Sequence, residues 1–223
     1  MWQKTVVLPT GALTLALARV GELDPAYPLT AAEAEVLATY RHPAKRRQWL
    51  TARALLANVL ALPPTAAILN HPGGKPYVTD RATPVSLSHT HGYVAVATGP
   101  GPTVGVDVEA YRPGRDYAVR RLFMTAAELA AYQACPTEVL FLVVWSAKEA
   151  LYKALHTHDG EISFHHNLRL DPQGLLRLPT RLPAEGLLET QVTAHLTDLP
   201  GRPSHVPVGV VLGPDYVVTY LMV

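Results

Sequence analysis

With 223 residues the chain is long enough to bury a proper core, either as one large domain or as two small ones. Nineteen basic residues against 18 acidic ones leave no global field to attract nucleic acid or an anionic membrane, so any anion site must be a local cluster. Cys135 is the only cysteine, which excludes an internal disulfide and a zinc cluster and suits a soluble protein of the reducing cytoplasm.

In chain order, the start has the outline of a weak signal peptide: Lys4, an apolar run and an Ala-Leu-Ala. Pro9-Thr10-Gly11 breaks that run with a turn signal, so residues 4–8 and 12–18 are read as two strands. No stretch approaches the roughly 18 uninterrupted apolar residues of a membrane span. Residues 30–40 predict a helix with Thr30 as cap and Glu33 closing a capping box; residues 44–60 predict a second, ended by Pro63-Pro64. Strand-like runs follow at 75–79, 85–88, 93–98 and 103–109. Thr125 and Glu128 open another capped helix, and 138–156 predict a long one. The chain closes on strand-like runs near Leu168 and at 189–195, 206–212 and 216–221. Two faint echoes, ARALLANVL (52–60) with AKEALYKAL (147–155) and HGYVAVA (91–97) with PDYVVTY (214–220), suggest two related lobes joined near Gly99-Pro100-Gly101-Pro102.

Three constellations can carry chemistry. In TVGVDVE (103–109) the period of two puts Val104, Val106 and Val108 on one face and Gly105, Asp107 and Glu109 on the other. Two carboxylates side by side repel unless a cation separates them, and magnesium suits such a pair; a solvated acidic strand end is the plainer alternative. In WSAKEALYKAL (145–155), Ser146, Glu149, Lys153 and His156 fall on one narrow helical stripe. Glu149 and Lys153 are spaced for an i,i+4 ion pair. Lys148 lands on the apolar side, where it needs an anion or a route to water. Finally, Lys45, Arg46, Arg47 and Arg53 on one helix, the turn Gly73-Gly74-Lys75-Pro76, and Ser86-Leu87-Ser88-His89 supply the donors a phosphate requires. A basic solvated helix face with an ordinary hairpin explains the same residues.

The ordered set GKPY (74–77), SLSH (86–89), VGVDVE (104–109) and WSAKEALYK (145–153) resembles the 4'-phosphopantetheinyl transferase superfamily. Length and the N-terminal portion resemble its long, surfactin-synthetase-activating type rather than the short trimeric holo-carrier-synthase type. The resemblance implies an α+β fold of two similar lobes in a pseudo-dimer, each a long helix on a small, mainly antiparallel sheet, with residues 1–102 and 103–223 as the lobes and a monomeric chain. It implies coenzyme A as substrate and a serine of an apo acyl or peptidyl carrier protein as acceptor, giving the holo-carrier and 3',5'-ADP.

By the same resemblance Asp107, Glu109 and Glu149 hold Mg2+, with Mn2+ the alternative. Lys148 and Lys153 contact phosphate; Lys153 can protonate the leaving phosphate and Glu149 can deprotonate the serine, directly or through water. Arg47, Arg53, Lys75, Pro76, Ser88 and His89 match positions that grip the nucleotide. The carrier is expected near Phe123-Met124-Thr125, with Arg120 and Arg121 available to an acidic partner. The chain departs from the family after Lys153, where a Gly-containing loop is replaced by His156, His158, Asp159, Glu161, His165 and His166. These have no clean ligand spacing and are read as a polar loop. Another Mg2+-dependent phosphotransferase, and a non-catalytic relative that binds only carrier or coenzyme A, are the alternative readings.

Overall fold

The computed structural model describes residues 1–8, 10–23, 27–112, 117–156 and 162–223. Eleven strands are present among them: β1 (Trp2–Leu8), β2 (Gly11–Arg19), β3 (Ile68–Asn70), β4 (Pro76–Val78), β5 (Val85–Thr90), β6 (Tyr93–Thr98), β7 (Val104–Ala110), β8 (Leu168–Leu170), β9 (Leu188–Leu196), β10 (His205–Leu212) and β11 (Tyr216–Met222). The helices are α1 (Ala31–Thr39), α2 (Pro43–Leu60), α3 (Ala126–Ala134), α4 (Glu138–Leu155) and a short α5 (Pro172–Leu176), with a 3-10 turn at Tyr117–Leu122. The mixed helices and antiparallel sheets agree with the α+β expectation. Strand β3, α5 and the 3-10 turn had no sequence counterpart.

Two sheets form the centre. The first has order β1-β2-β6-β5 and the second β7-β11-β10-β9-β8, while β3 and β4 make a separate hairpin. Alternation along the central strands gives each sheet two apolar faces. Leu13, Leu15 and Leu17 of β2 join Val104, Val106 and Val108 of β7 and Val218 and Tyr220 of β11 in one core between the sheets. Ala16 and Ala18 of β2, with Val94 and Val96 of β6, face the other way onto Leu55 and Leu56 of α2. On the far side α4 lies on the second sheet, burying Val143, Val144, Ala147, Ala150 and Leu151 against Val208, Val210 and Val217. The layers therefore run α2, first sheet, second sheet, α4.

Local chemistry explains the helix starts. Thr30 and Thr125 each accept the backbone N–H three residues on, and Glu33 and Glu128 return the bond to the cap residue, as the capping-box pattern requires. Both glutamates are fully buried. Glu33 also accepts the Ile68 N–H and the Tyr27 hydroxyl, and Glu128 the Leu170 N–H. Each cap thus ties its helix to a short strand.

The sheets meet edge to edge as well as face to face. Along β7 the N–H groups of Val106, Val108 and Ala110 are received by the hydroxyls of Ser86, Ser88 and Thr90 on β5, at 3.0, 3.3 and 3.4 Å. A free strand edge is closed by side chains here, which satisfies amides that burial would otherwise leave unpaired.

Candidate active site

Strand β7 carries its chemistry toward α4. Gly105, Asp107 and Glu109 face the helix, and Gly105 is there because nothing larger fits: a Cβ on it would stand 2.0 Å from the Ala150 carbonyl oxygen. That close approach brings Asp107 to Lys153, whose Nζ donates to Asp107 Oδ1 at 2.7 Å. Lys153 also donates to Ser88 Oγ at 3.1 Å and to the Val106 carbonyl at 3.3 Å, so its three N–H bonds each have an acceptor. Ser88 in turn donates to Asp107 Oδ1 at 2.7 Å. The expected i,i+4 pair does not form: Lys153 turns to Asp107, and Glu149 feels the lysine only as a longer-range charge.

Burial is the main force on Glu149; it pushes the carboxyl above its usual value, and the charges of Asp107 and Glu109 push the same way against Lys153. Glu109 is held by the Trp145 indole, whose Nε1 donates to it at 2.7 Å. Next to these groups lies a cleft of about 220 Å³ lined by Gly73, Gly74, Lys75, Pro76, Glu149, Tyr152, Lys153 and His156, among others. The N-terminal hairpin and the C-terminal helix therefore share one opening. Lys75 sits half-buried there, its pKa lowered by that burial and by Arg202.

Not every predicted residue joins the cleft. Lys148 is fully buried and donates to Glu128 Oε2 (2.7 Å), the Phe123 carbonyl (2.7 Å) and the Phe164 carbonyl (2.8 Å). All three of its donors are in use, so it binds the fold together and has none left for phosphate. Ser146 is also buried, bonded to Thr219 at 2.9 Å instead of sharing the open stripe with Glu149. Arg47 is exposed on α2 and Arg53 is buried, 3.9 Å over the Trp49 ring and bonded to Asn70; neither lines the cleft. Burial lowers the Arg53 pKa to about 10. His89 lies beyond Ser88; desolvation, then the charges of Lys153 and Arg53, lower its pKa and favour the neutral ring. Phe123 and Met124 are core residues. Of the polar loop after Lys153, residues 157–161 lie outside the described residues, while His166 pairs with Asp198 at 2.6 Å.

The sequence reading did not include Tyr152 as a cleft wall, Trp145 as the anchor of Glu109, or Glu128 as the counter-ion of Lys148. For Tyr152 the signal was present, since it sits three residues from Glu149 on the same helix.

Residues 103–200 match the family model of the 4'-phosphopantetheinyl transferase superfamily. The matched segment contains β7 and α4, with Asp107, Glu109, Glu149 and Lys153. It leaves out the hairpin that supplies Lys75 and the strand that supplies Ser88. No curated protein matches the chain.

The carboxylates fit a hard cation. Asp107 Oδ2 is buried with no hydrogen-bond partner, and a desolvated carboxylate oxygen without a donor is an acceptor that a cation would satisfy. Among the described residues no three His, Cys, Asp or Glu side chains form a ready-made cage. Magnesium does not need one, because it binds through one or two carboxylates and fills its remaining positions with water and phosphate.

Proposed function

We propose that this protein transfers the 4'-phosphopantetheine group of coenzyme A to a serine of an apo acyl or peptidyl carrier protein. The observation that carries this reading is the junction of Asp107 and Lys153 at 2.7 Å on the lip of a cleft that also takes Lys75 and Pro76 from the N-terminal hairpin. Cations from two parts of the chain there face an acidic corner, an arrangement suited to a diphosphate.

In the reaction the serine hydroxyl attacks the β-phosphorus. A new P–O bond forms, the bond to the bridging oxygen breaks, and 3',5'-ADP leaves. Glu149, held above the ordinary carboxylate range by burial, takes the serine proton. Lys153 stabilises the departing phosphate and can supply its proton, and Lys75 holds phosphate at the hairpin side. Asp107, together with one of the other two expected ligands, Glu109 or Glu149, would hold Mg2+ or Mn2+, which when bound neutralises charge on the diphosphate.

The chain further reads as two similar lobes, divided near residue 102. One interval along the sequence separates Thr30 from Thr125, Glu33 from Glu128 and Arg53 from Lys148. The order β2-β6-β5 in the first sheet parallels β7-β11-β10 in the second. Both facts support a pseudo-dimeric chain of the long type.

Incubation with coenzyme A, Mg2+ and several apo-carrier proteins, followed by intact mass measurement of the carrier, tests the reading. A phosphopantetheine increment on the carrier serine is expected; its absence across all carriers overturns the assignment.

A further inference from the structure

At one end of the inter-sheet core a cavity of about 600 Å³ opens, with no lining residue in common with the cleft. Its apolar wall takes Trp2, Leu17 and Tyr93 from the first half of the chain and Leu187, Pro214 and Tyr216 from the second. Tyr93 and Tyr216 are 5% and 6% exposed, with ring centroids 4.8 Å apart, so their rings are fixed in place by packing. Aromatic walls with a few convergent polar groups are the usual make-up of a small-molecule pocket. We propose that this cavity binds a small monocarboxylate with a flat aromatic body, its carboxylate held by Arg19 and Tyr216.

The charge of the ligand follows from which polar groups of the wall are already in use. Glu22 takes the Met1 amine and the Arg19 backbone N–H, the latter at 2.8 Å. The two Asp215 oxygens share the Tyr93 hydroxyl, at 2.7 and 2.8 Å. Both carboxylates of the wall are therefore engaged, and the Met1 amine and Arg19 balance their charge. Only donors are left over. The Tyr216 oxygen accepts the Trp2 indole N–H at 2.9 Å, but its own O–H has no acceptor among the described residues. Burial raises the Tyr216 pKa, so the phenol keeps that proton. The Arg19 guanidinium lies 5.2 Å over the Tyr93 ring, and its N–H groups have no hydrogen-bond acceptor among the described residues. A guanidinium fork matches the two oxygens of a carboxylate, and a phenol adds a third hydrogen. A cation or a neutral hydrocarbon would leave these donors unmet, and an inorganic anion would leave the aromatic wall bare.

Calorimetry on the full chain with cinnamate, cinnamyl alcohol and inorganic phosphate tests the site without reference to the function proposed above. Cinnamate is expected to bind, and the alcohol and phosphate each to bind at least about tenfold more weakly, the scale of a lost hydrogen bond to a charged group. Arg19→Gln and Tyr216→Phe are each expected to weaken cinnamate binding by about tenfold. Arg19 is exposed, so Arg19→Gln should melt near the parent temperature and keeps the test open if Tyr216→Phe folds poorly. Cinnamate should also change the tryptophan fluorescence of the parent, and that change should be missing in Trp2→Phe. Absence of heat with cinnamate at millimolar concentration overturns the proposal, as does equal affinity for the alcohol. Cinnamate binding that Arg19→Gln leaves unchanged overturns it too, because the ligand then sits elsewhere.

Discussion

Neutralising Lys148 should destabilise the fold about as strongly as any single change outside the apolar core. The ammonium and the Glu128 carboxylate are both fully buried, 2.7 Å apart, and between them they satisfy two carbonyls and two backbone N–H groups. Lys148→Met keeps the stem but leaves Glu128 an ion with only the Thr125 and Leu170 N–H donors, and strands the Phe123 and Phe164 carbonyls. Removing one partner of a buried pair costs about 3–5 kcal/mol. That is a large part of the roughly 5–15 kcal/mol that holds a domain folded. Glu128→Gln should cost a similar amount by turning an amide donor toward the ammonium. The double variant should fall short of the summed losses by about 1–3 kcal/mol, because neither charge is then left alone. Urea unfolding followed by tryptophan fluorescence, at one pH and salt, gives the three values by linear extrapolation. Single losses below about 1 kcal/mol, or strict additivity, would show that this pair does not bind α3 to α4 as the geometry implies.

Other perturbations probe the site directly. Gly105→Ala places a Cβ 2.0 Å from the Ala150 carbonyl, so β7 must leave α4; thermal unfolding should drop by several degrees and transfer should be lost, and an unchanged melting temperature would refute the contact. Glu149→Gln should raise the metal-free melting temperature at pH 7. The folded pKa of Glu149 is raised, so the folded state binds its proton more tightly than the unfolded state does, and the penalty for ionisation grows as pH climbs above the ordinary value of 4.5. The gain should vanish below that pH, and an equal gain at all pH values would contradict it. Lys153→Met should bind Mn2+ at least about tenfold more tightly without coenzyme A, as read by electron paramagnetic resonance. Like charges 4 Å apart repel by about 4 kcal/mol at an effective dielectric of 20. Weaker binding would show that Lys153 and the cation do not compete for Asp107.

Much of this was legible where local rules decide. The capping boxes at Thr30 and Thr125 are short-range patterns and formed as written. The alternation of VGVDVE needed only a pleat, and β7 sends its valines to the inter-sheet core and its acids to α4. Lys148 shows where such rules stop. The helical wheel put it on the apolar side, but its partner lies 20 residues away, in a glutamate already accounted for as a cap. One side chain there serves a helix end and an ion pair, and spacing reveals only the first. Ser88 is a related case: its hydroxyl bonds to Asp107, Lys153 and the Val108 N–H, contacts between distant segments that spacing does not reveal. Strand β3 is too short, at three residues, for any period to show.

The proposed kinship of the two halves also bears on why the acidic corner described above lies in the second half. Applying the interval that relates Arg53 to Lys148, the counterparts of Glu149 and Lys153 in α2 are Ala54 and Asn58. The first half has a similar scaffold, a capped helix with a buried glutamate and a buried cation beneath it, but no carboxylate or ammonium at those two positions. Even the shared device has drifted. Lys148 touches Glu128, whereas Arg53 stacks on Trp49, bonds to Asn70 and senses Glu33 only through its charge. What the first half brings instead is position: Lys75 and Pro76 on a hairpin wall of the cleft, and a row of hydroxyls that closes the free edge of β7. Asp107 and Lys153 meet at the point where that row passes between the sheets. The carboxylates and Lys153 come from the second half, while Lys75, Pro76 and the Ser88 hydroxyl that bonds to Asp107 and Lys153 come from the first, so both halves contribute to this corner.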